Sequence, residues 1–339
     1  MAGTNKMNQG GKKVKSETLK PWSSVGLGGV ALLSLAACCA TPKAPPPPAE
    51  ASQKIFATPE LAVDALIAAS RNDNPSMVLK ILGPEAQDLI HSGDPVEDAN
   101  GRKNFVAAYD RAHHIETEDS DKAVLVIGER GWPMPIPMVH VIGGWQWDTE
   151  SGAQEILNRR IGRNELMVAA VCRTYVEAQQ DFSTRHSMAD GHSEYAQKFI
   201  SGKSRHDGLY WPAAAGERES PLGPLVAEAR DDGYTAGKGH EQRPYYGYIF
   251  KILKRQGPDA SGGAKSYVEH GRMTGGFALL AHPAKYGDSG IMTFMVNQDG
   301  IVYQKNLGPY TEQIVSGFTD YDPDESWDIT SEVDEGYRP

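Results

Sequence analysis

Residues 138–148 read Met-Val-His-Val-Ile-Gly-Gly-Trp-Gln-Trp-Asp. The first five are a β-type run, Gly143-Gly144 is a hairpin turn signal, and Trp145-Gln146-Trp147-Asp148 is the returning strand. A second β-type run lies just upstream at residues 123–127 (AVLVI). Before these strands the pattern is helical. Thr58-Pro59-Glu60 sets a hydroxyl N-cap, a proline at the first helical position and an acid in the first turn, and Leu61, Ala62, Val63, Leu66 and Ile67 make the apolar stripe. Asn74-Pro75 opens a second helix that Gly83 closes. A short third helix is expected over 85–91, stopped by Gly93-Asp94-Pro95, and a fourth over 102–113. Helices followed by a hairpin sheet make residues 56–158 an α+β unit.

Residues 159–328 repeat the scheme with other parts. A helix over 164–182 places Val168, Val171, Cys172, Tyr175 and Phe182 on one face. A loop-rich stretch and a short helix over 222–230 follow. Four strands are expected, over 245–254, 276–281, 291–297 and 301–305, the last two joined by Gln298-Asp299-Gly300. The expected fold is α+β, in two small domains, each with helices packed on an antiparallel meander sheet. Residues 320–335 hold eight acids, and the end of the chain, 329–339 above all, reads as a mobile acidic tail.

The segment preceding residue 56 reads as an export signal. Residues 6–20 carry lysines, and 25–37 (VGLGGVALLSLAA) form an apolar stretch of 13 residues, the length of a signal-peptide core and short of the about 20 that cross a bilayer. It ends in Leu35-Ala36-Ala37-Cys38, which resembles the bacterial lipobox. Cys38 is thus the expected site of lipid attachment, residues 1–37 the signal peptide, and the proline-rich 38–55 a stiff linker. Cys39 follows where an Asp would mark inner-membrane retention in enterobacterial sorting, so outer-membrane placement facing the periplasm is expected. Without residues 1–37 the chain has 29 basic and 43 acidic residues, a net charge of −14. Such a surface repels nucleic acid. With Cys38 and Cys39 at the export junction, Cys172 stands alone in the folded part, and no disulfide framework forms there.

From residue 56 onward the chain resembles an uncharacterised bacterial family, domain of unknown function 2950. The resemblance is carried by FATPELAVDALIAA, ILGPEAQDLIHSGDP, ILNRRIGRNEL, EYAQKFIS, GLYWPAAAGERESPLGPLVAEA and GIMTFMVNQDGIVYQKNLG. It implies no activity. More distantly, the opening helices with the GGWQWDT hairpin are similar to nuclear transport factor 2-like domains. The second half, with YVEAQQDF, GYIFKI and TFMVNQDGIVY, is similar to type IV pilin-like globular heads, though it lacks their apolar stem.

Motifs that carry chemistry elsewhere fail here on spacing. Gly287-Asp288-Ser289-Gly290 spells a serine-protease nucleophile signature, but Ile291 stands where that signature continues with Gly, and His282 lies only seven residues upstream. His113-His114 at a helix end would point about 100° apart. His186, Asp190, His192 and Glu194 crowd one loop with too few carboxylates for calcium. Cys172 lies on an apolar face, away from the exposure a reactive thiol needs. Trp132, Trp145 and Trp147 with Tyr210 and Trp211 read as core aromatics, or as an aromatic ligand cleft. No catalytic residue, metal or cofactor is assigned. The leading expectation is a lipid-anchored, non-enzymatic binding or assembly module of the cell envelope, held to the membrane through its lipid and working with an envelope protein. The rival is a small-molecule binder or hydrolytic enzyme using a pocket of the first domain lined by groups such as His140 or Asp148. A pocket with convergent polar groups favours the rival; a solid core with a broad exposed apolar patch favours the former.

Overall fold

Proline-capped helices start the fold. In a computed structural model that describes residues 53–187, 193–214, 216–234 and 243–330, the Thr58 hydroxyl accepts from Leu61 N at 3.4 Å ahead of α1 (Pro59–Arg71). Asn74 accepts from Met77 N at 3.0 Å ahead of α2 (Pro75–Leu82). A 3-10 turn (Pro84–Ala86) and α3 (Gln87–Ile90) follow. The next helix departs from the expectation: α4 (Pro95–Arg111) starts at the Asp94-Pro95 pair that had read as a stop, and ends before His113. Asp94 Oδ1 accepts from Val96 N and Glu97 N at 3.1 and 3.2 Å, so the pair is an acceptor-then-proline cap like the two before it.

His113 and His114 therefore stand not on a helix end but on β1 (His113–Asp119), a strand not anticipated. It pairs antiparallel with β2 (Lys122–Ile127), which also receives β3 (Trp132–Pro133) and β4 (Met138–Val141). The expected hairpin joins β4 to β5 (Gly144–Trp147), with Met138 opposite Trp147. Helices α1 to α3 and this sheet enclose a first core that includes Leu66, Ile81, Leu125, Ile136, Met138 and Trp147.

The second departure is α5 (Thr149–Arg185), 37 residues long where a helix over 164–182 was expected. The boundary expected between 158 and 159 falls inside it. Its first turn is fixed to the first core by the Thr149 hydroxyl, which donates to Leu82 O at 2.6 Å. Gly152 is buried there because a Cβ at that position would lie 2.3 Å from Pro135 O. Its later turns present Val168, Cys172, Tyr175 and Phe182 to a second core.

That second core is built on the expected meander. After α6 (Gly223–Asp231) come β6 (Tyr248–Leu253), two small pairs, β7 (Arg255–Gln256) with β8 (Lys265–Ser266) and β9 (Val268–Glu269) with β10 (Arg272–Met273), and then β11 (Ala278–Pro283), β12 (Met292–Asn297) and β13 (Tyr303–Asn306). Past α7 (Thr311–Ser316), β14 (Asp328–Ile329) closes an antiparallel sheet of order β14-β13-β12-β11-β6. All six residues of the inner strand β11 are buried. The acidic stretch from 320 is not loose as far as residue 329: Tyr321 and Trp327 are buried, Arg255 pairs with Asp320 at 2.6 Å, and β14 is hydrogen-bonded. Its apolar residues anchor it against the sheet despite its charge. Residues 331–339 lie outside the described ones, as do 1–52, which carry the export signal and Cys38. No described helix is long and apolar enough to cross a membrane.

A buried polar joint links the two cores, which lie in one compact unit. Asp94, 1% exposed, caps α4 with one oxygen and with the other accepts from Tyr234 OH at 2.8 Å and Gly247 N at 3.0 Å. Gly247 has φ +70°, and a Cβ there would meet Ser289 Cβ at 2.8 Å. Fully buried Asn164 donates to Glu97 Oε2 at 3.0 Å and Ser289 O at 3.1 Å, and Glu165 Oε1 accepts from Ile291 N and Met292 N, each at 2.9 Å.

Candidate functional site

A cleft of about 480 Å³ lies in the first half, between α4 and the N-terminal part of α5. That size suits a small-molecule site. Its floor is apolar, from Leu66, Val78, Ile127, Met134 and Ile136, which belong to the first core. Its charged groups stand on the two flanking helices: Glu97, Asp98 and Arg102 from α4, and Arg159, Arg160 and Arg163 from α5; Ser70 of α1 and Asn104 of α4 add uncharged polar groups. Ile156, Arg159, Arg160 and Arg163 fall at i, i+3, i+4 and i+7, so a continuous helix puts them on one face.

Each charged group has a defined setting. Arg102 pairs with Asp73 at 2.6 Å, and Arg159 bonds Glu155 at 2.7 Å while its guanidinium sits 5.6 Å from the centre of the Trp132 ring. Arg160 donates to Asp88 O at 2.9 Å and to Leu89 O, tying α5 to the end of α3. Arg163 donates to Glu97 Oε1 at 3.3 Å, and Ser92 N donates to both oxygens of Asp98 at 3.2 Å. Burial lifts the carboxyls of Glu97 and Asp98 above their ordinary values, outweighing the arginines nearby.

A raised folded-state value means that Glu97 contributes stability fully below its unfolded value of 4.5, and that this contribution is lost as pH climbs through the folded value. Glu97→Gln removes that dependence. The variant's stability relative to the parent is therefore expected to improve from about pH 4 to about pH 7, measured as the difference in urea midpoints. A difference that is flat or moves the other way means that the Arg163 pairing, not burial, governs the group.

Residues singled out in the sequence lie mostly elsewhere. His140 is exposed, its ring edge-on to Trp145 at 5.4 Å, and neither it nor Asp148 lines the cleft; Asp148 instead precedes α5 as its N-cap residue. Trp132 does line it. Trp145 and Trp147 pack in the same core, whereas Tyr210 and Trp211 belong to the second core, so the five aromatics do not converge. Ser289 is fully buried in the turn between β11 and β12, its hydroxyl exchanging hydrogen bonds with Lys285 N and O at 3.0 and 3.1 Å. Asp288 pairs with Lys285, and His282 Nδ1 contacts Pro283 O at 3.1 Å, so the Gly-Asp-Ser-Gly stretch is a structural turn. Cys172 is buried, which pushes its thiol up to about 12. His113 stacks on Tyr109, and His114 lies 3.0 Å from Glu116. Glu194 bonds Arg272 at 2.8 Å, while Asp190 and His192 lie outside the described residues. Among the described residues no three His, Cys, Asp or Glu side chains are grouped to hold a metal. The cleft arginines went unassigned in the sequence because α5 was expected to begin at 164, beyond all three.

A family model described as protein of unknown function DUF2950 matches residues 53–330, a span holding both cores and the cleft. The chain belongs to the DUF2950 family. No curated protein and no solved structure matches it, so the likenesses of its halves to nuclear transport factor 2-like domains and pilin heads gain no support there. In this DUF2950 protein, the quoted stretch ILNRRIGRNEL is the segment of α5 that carries the cleft arginines and the joint residue Asn164.

Proposed function

We propose that this DUF2950 protein is a non-enzymatic binding protein of the cell envelope, tethered through a lipid on Cys38, that takes a small molecule into the α4–α5 cleft. The cleft carries the reading: an apolar floor with polar groups converging along one wall is the architecture of a ligand site. Its carboxylates are already held, Glu97 by Asn164 and Arg163 and Asp98 by Ser92 N, which suits binding better than proton transfer. The hydrolytic alternative draws on those same two acids, whose raised carboxyls resemble general acids. The tether is supported by the lysine-bearing start, the apolar stretch over 25–37 and the Leu-Ala-Ala-Cys ending.

Two arms test the proposal. The intact mass of the native product is expected to show Cys38 as first residue bearing acyl groups, with Cys38→Ala lost from the membrane fraction; a native chain that retains residues 1–37 without acyl mass refutes the tether. For the cleft, Gly101 provides a plug: it lies on α4 at the cleft, and a Cβ there meets nothing within 4 Å. Fluorescence of the neutral dye N-phenyl-1-naphthylamine is expected to rise on the full chain and to fall at least several-fold with Gly101→Trp. Equal fluorescence with both proteins refutes the cleft as a binding site.

A further inference from the structure

Resting on the cleft being a binding site, we infer that its ligand is an anionic amphiphile, an apolar chain or ring system ending in a carboxylate-type head that docks against Arg159, Arg160 and Arg163. Apart from Ser70 and Asn104, the uncharged lining is hydrocarbon and aromatic, so the body of the ligand is apolar. The head is identified by the hydrogen-bonding capacity left in the wall. The two carboxylates are already engaged: Glu97 receives Asn164 and Arg163, and both oxygens of Asp98 receive Ser92 N. Donors remain. A guanidinium has five N–H groups. Arg159 directs its Nε to Glu155, Arg160 directs one bond each to Asp88 O and Leu89 O, and Arg163 directs one to Glu97. Guanidiniums outnumber carboxylates along the cleft, so the lining has a surplus of donors and takes an acceptor head; a planar carboxylate matches the guanidinium fork. Glu97 lies 3.3 Å from Arg163 and offsets part of the positive charge, which favours a single negative charge over a dianion. Arg159, which lines the cleft, is held between Glu155 and the Trp132 ring, so less side-chain entropy is lost on binding.

The test uses three probes with the same tail: dodecanoate, dodecanol and dodecyltrimethylammonium. Each is titrated against N-phenyl-1-naphthylamine on the full chain. Gly101→Trp is measured in parallel, so dye held by the 25–37 stretch is subtracted. Dodecanoate is expected to displace the cleft dye at concentrations at least tenfold below dodecanol, with the ammonium weakest. Arg159→Gln combined with Arg160→Gln is expected to weaken dodecanoate several-fold more than dodecanol, with Arg163 retaining part of the advantage. Because Arg160 also ties α5 to α3, Arg163→Gln, whose side chain is 48% exposed, gives the same readout at lower structural risk, with a loss of several-fold for dodecanoate alone. Equal displacement by the three probes, preference for the ammonium, or no displacement by dodecanoate overturns the ligand class while the dye signal still upholds the cleft. Loss of the distinction between parent and Gly101→Trp removes the cleft reading itself.

Discussion

Asp94→Ala is expected to destabilise the protein by roughly 3–5 kcal/mol, among the largest losses available from a single side chain. The carboxylate performs two tasks at one point. One oxygen caps α4 through Val96 N and Glu97 N, a role worth about 1 kcal/mol. The other receives Tyr234 OH and Gly247 N from the second half. Asp94 is 1% exposed, so its removal leaves these donors without a partner or ready access to water, at about 1–3 kcal/mol each. Tyr234→Phe removes one of the three contributions and is expected to lose only about 1 kcal/mol. Urea unfolding followed by circular dichroism measures both. An Asp94→Ala variant within about 1 kcal/mol of the parent contradicts the joint as described.

Gly152→Ala is expected to be equally damaging, while Gly101→Ala, the same chemical change in the other cleft helix, is expected to stabilise. At Gly101 the added methyl enters open space, and the gain is the usual helix preference of alanine over glycine, about 0.5–1 kcal/mol. At Gly152 the methyl would stand 2.3 Å from Pro135 O, 2.4 Å from Pro135 C and 2.6 Å from Ile136 N. Those are backbone atoms, and moving them pulls fully buried Ile136 out of the first core. The overlap outweighs the helix preference, for a net loss of about 3 kcal/mol or more. Because Met134 and Ile136 floor the cleft, dye binding is expected to fall with stability in this variant and to persist in Gly101→Ala. Opposite signs in thermal midpoint are the check; matching signs contradict the close approach of α5 to residues 135–136.

Where the sequence was legible, local chemistry and tertiary role agreed. Thr58-Pro59 and Asn74-Pro75 cap the helices they announce, and Gly143-Gly144 turns the hairpin between β4 and β5. Asp94-Pro95 is the same device, hidden because Gly93 and the preceding short helix made it look like a terminator. Strand β1 was illegible for a physical reason: it lies at a sheet edge, and His-His-Ile-Glu-Thr-Glu-Asp holds one apolar residue to signal a buried face. The start of α5 is illegible because its face over 156–163 lines the cleft with Arg159, Arg160 and Arg163 where a core-facing helix shows an apolar stripe. That is also why the site was missed. Arg159, Arg160 and Arg163 look like scattered surface charge until the helix is known to be continuous through them.

The unbroken length of α5 has a bearing on ancestry. A breakpoint within 168–182 would divide between two products the turns of α5 that complete the second core. A rearrangement that carried off residues 186–330 alone would leave their interior without Val168, Cys172, Tyr175 and Phe182, so that interior is inherited together with the later turns of the rod.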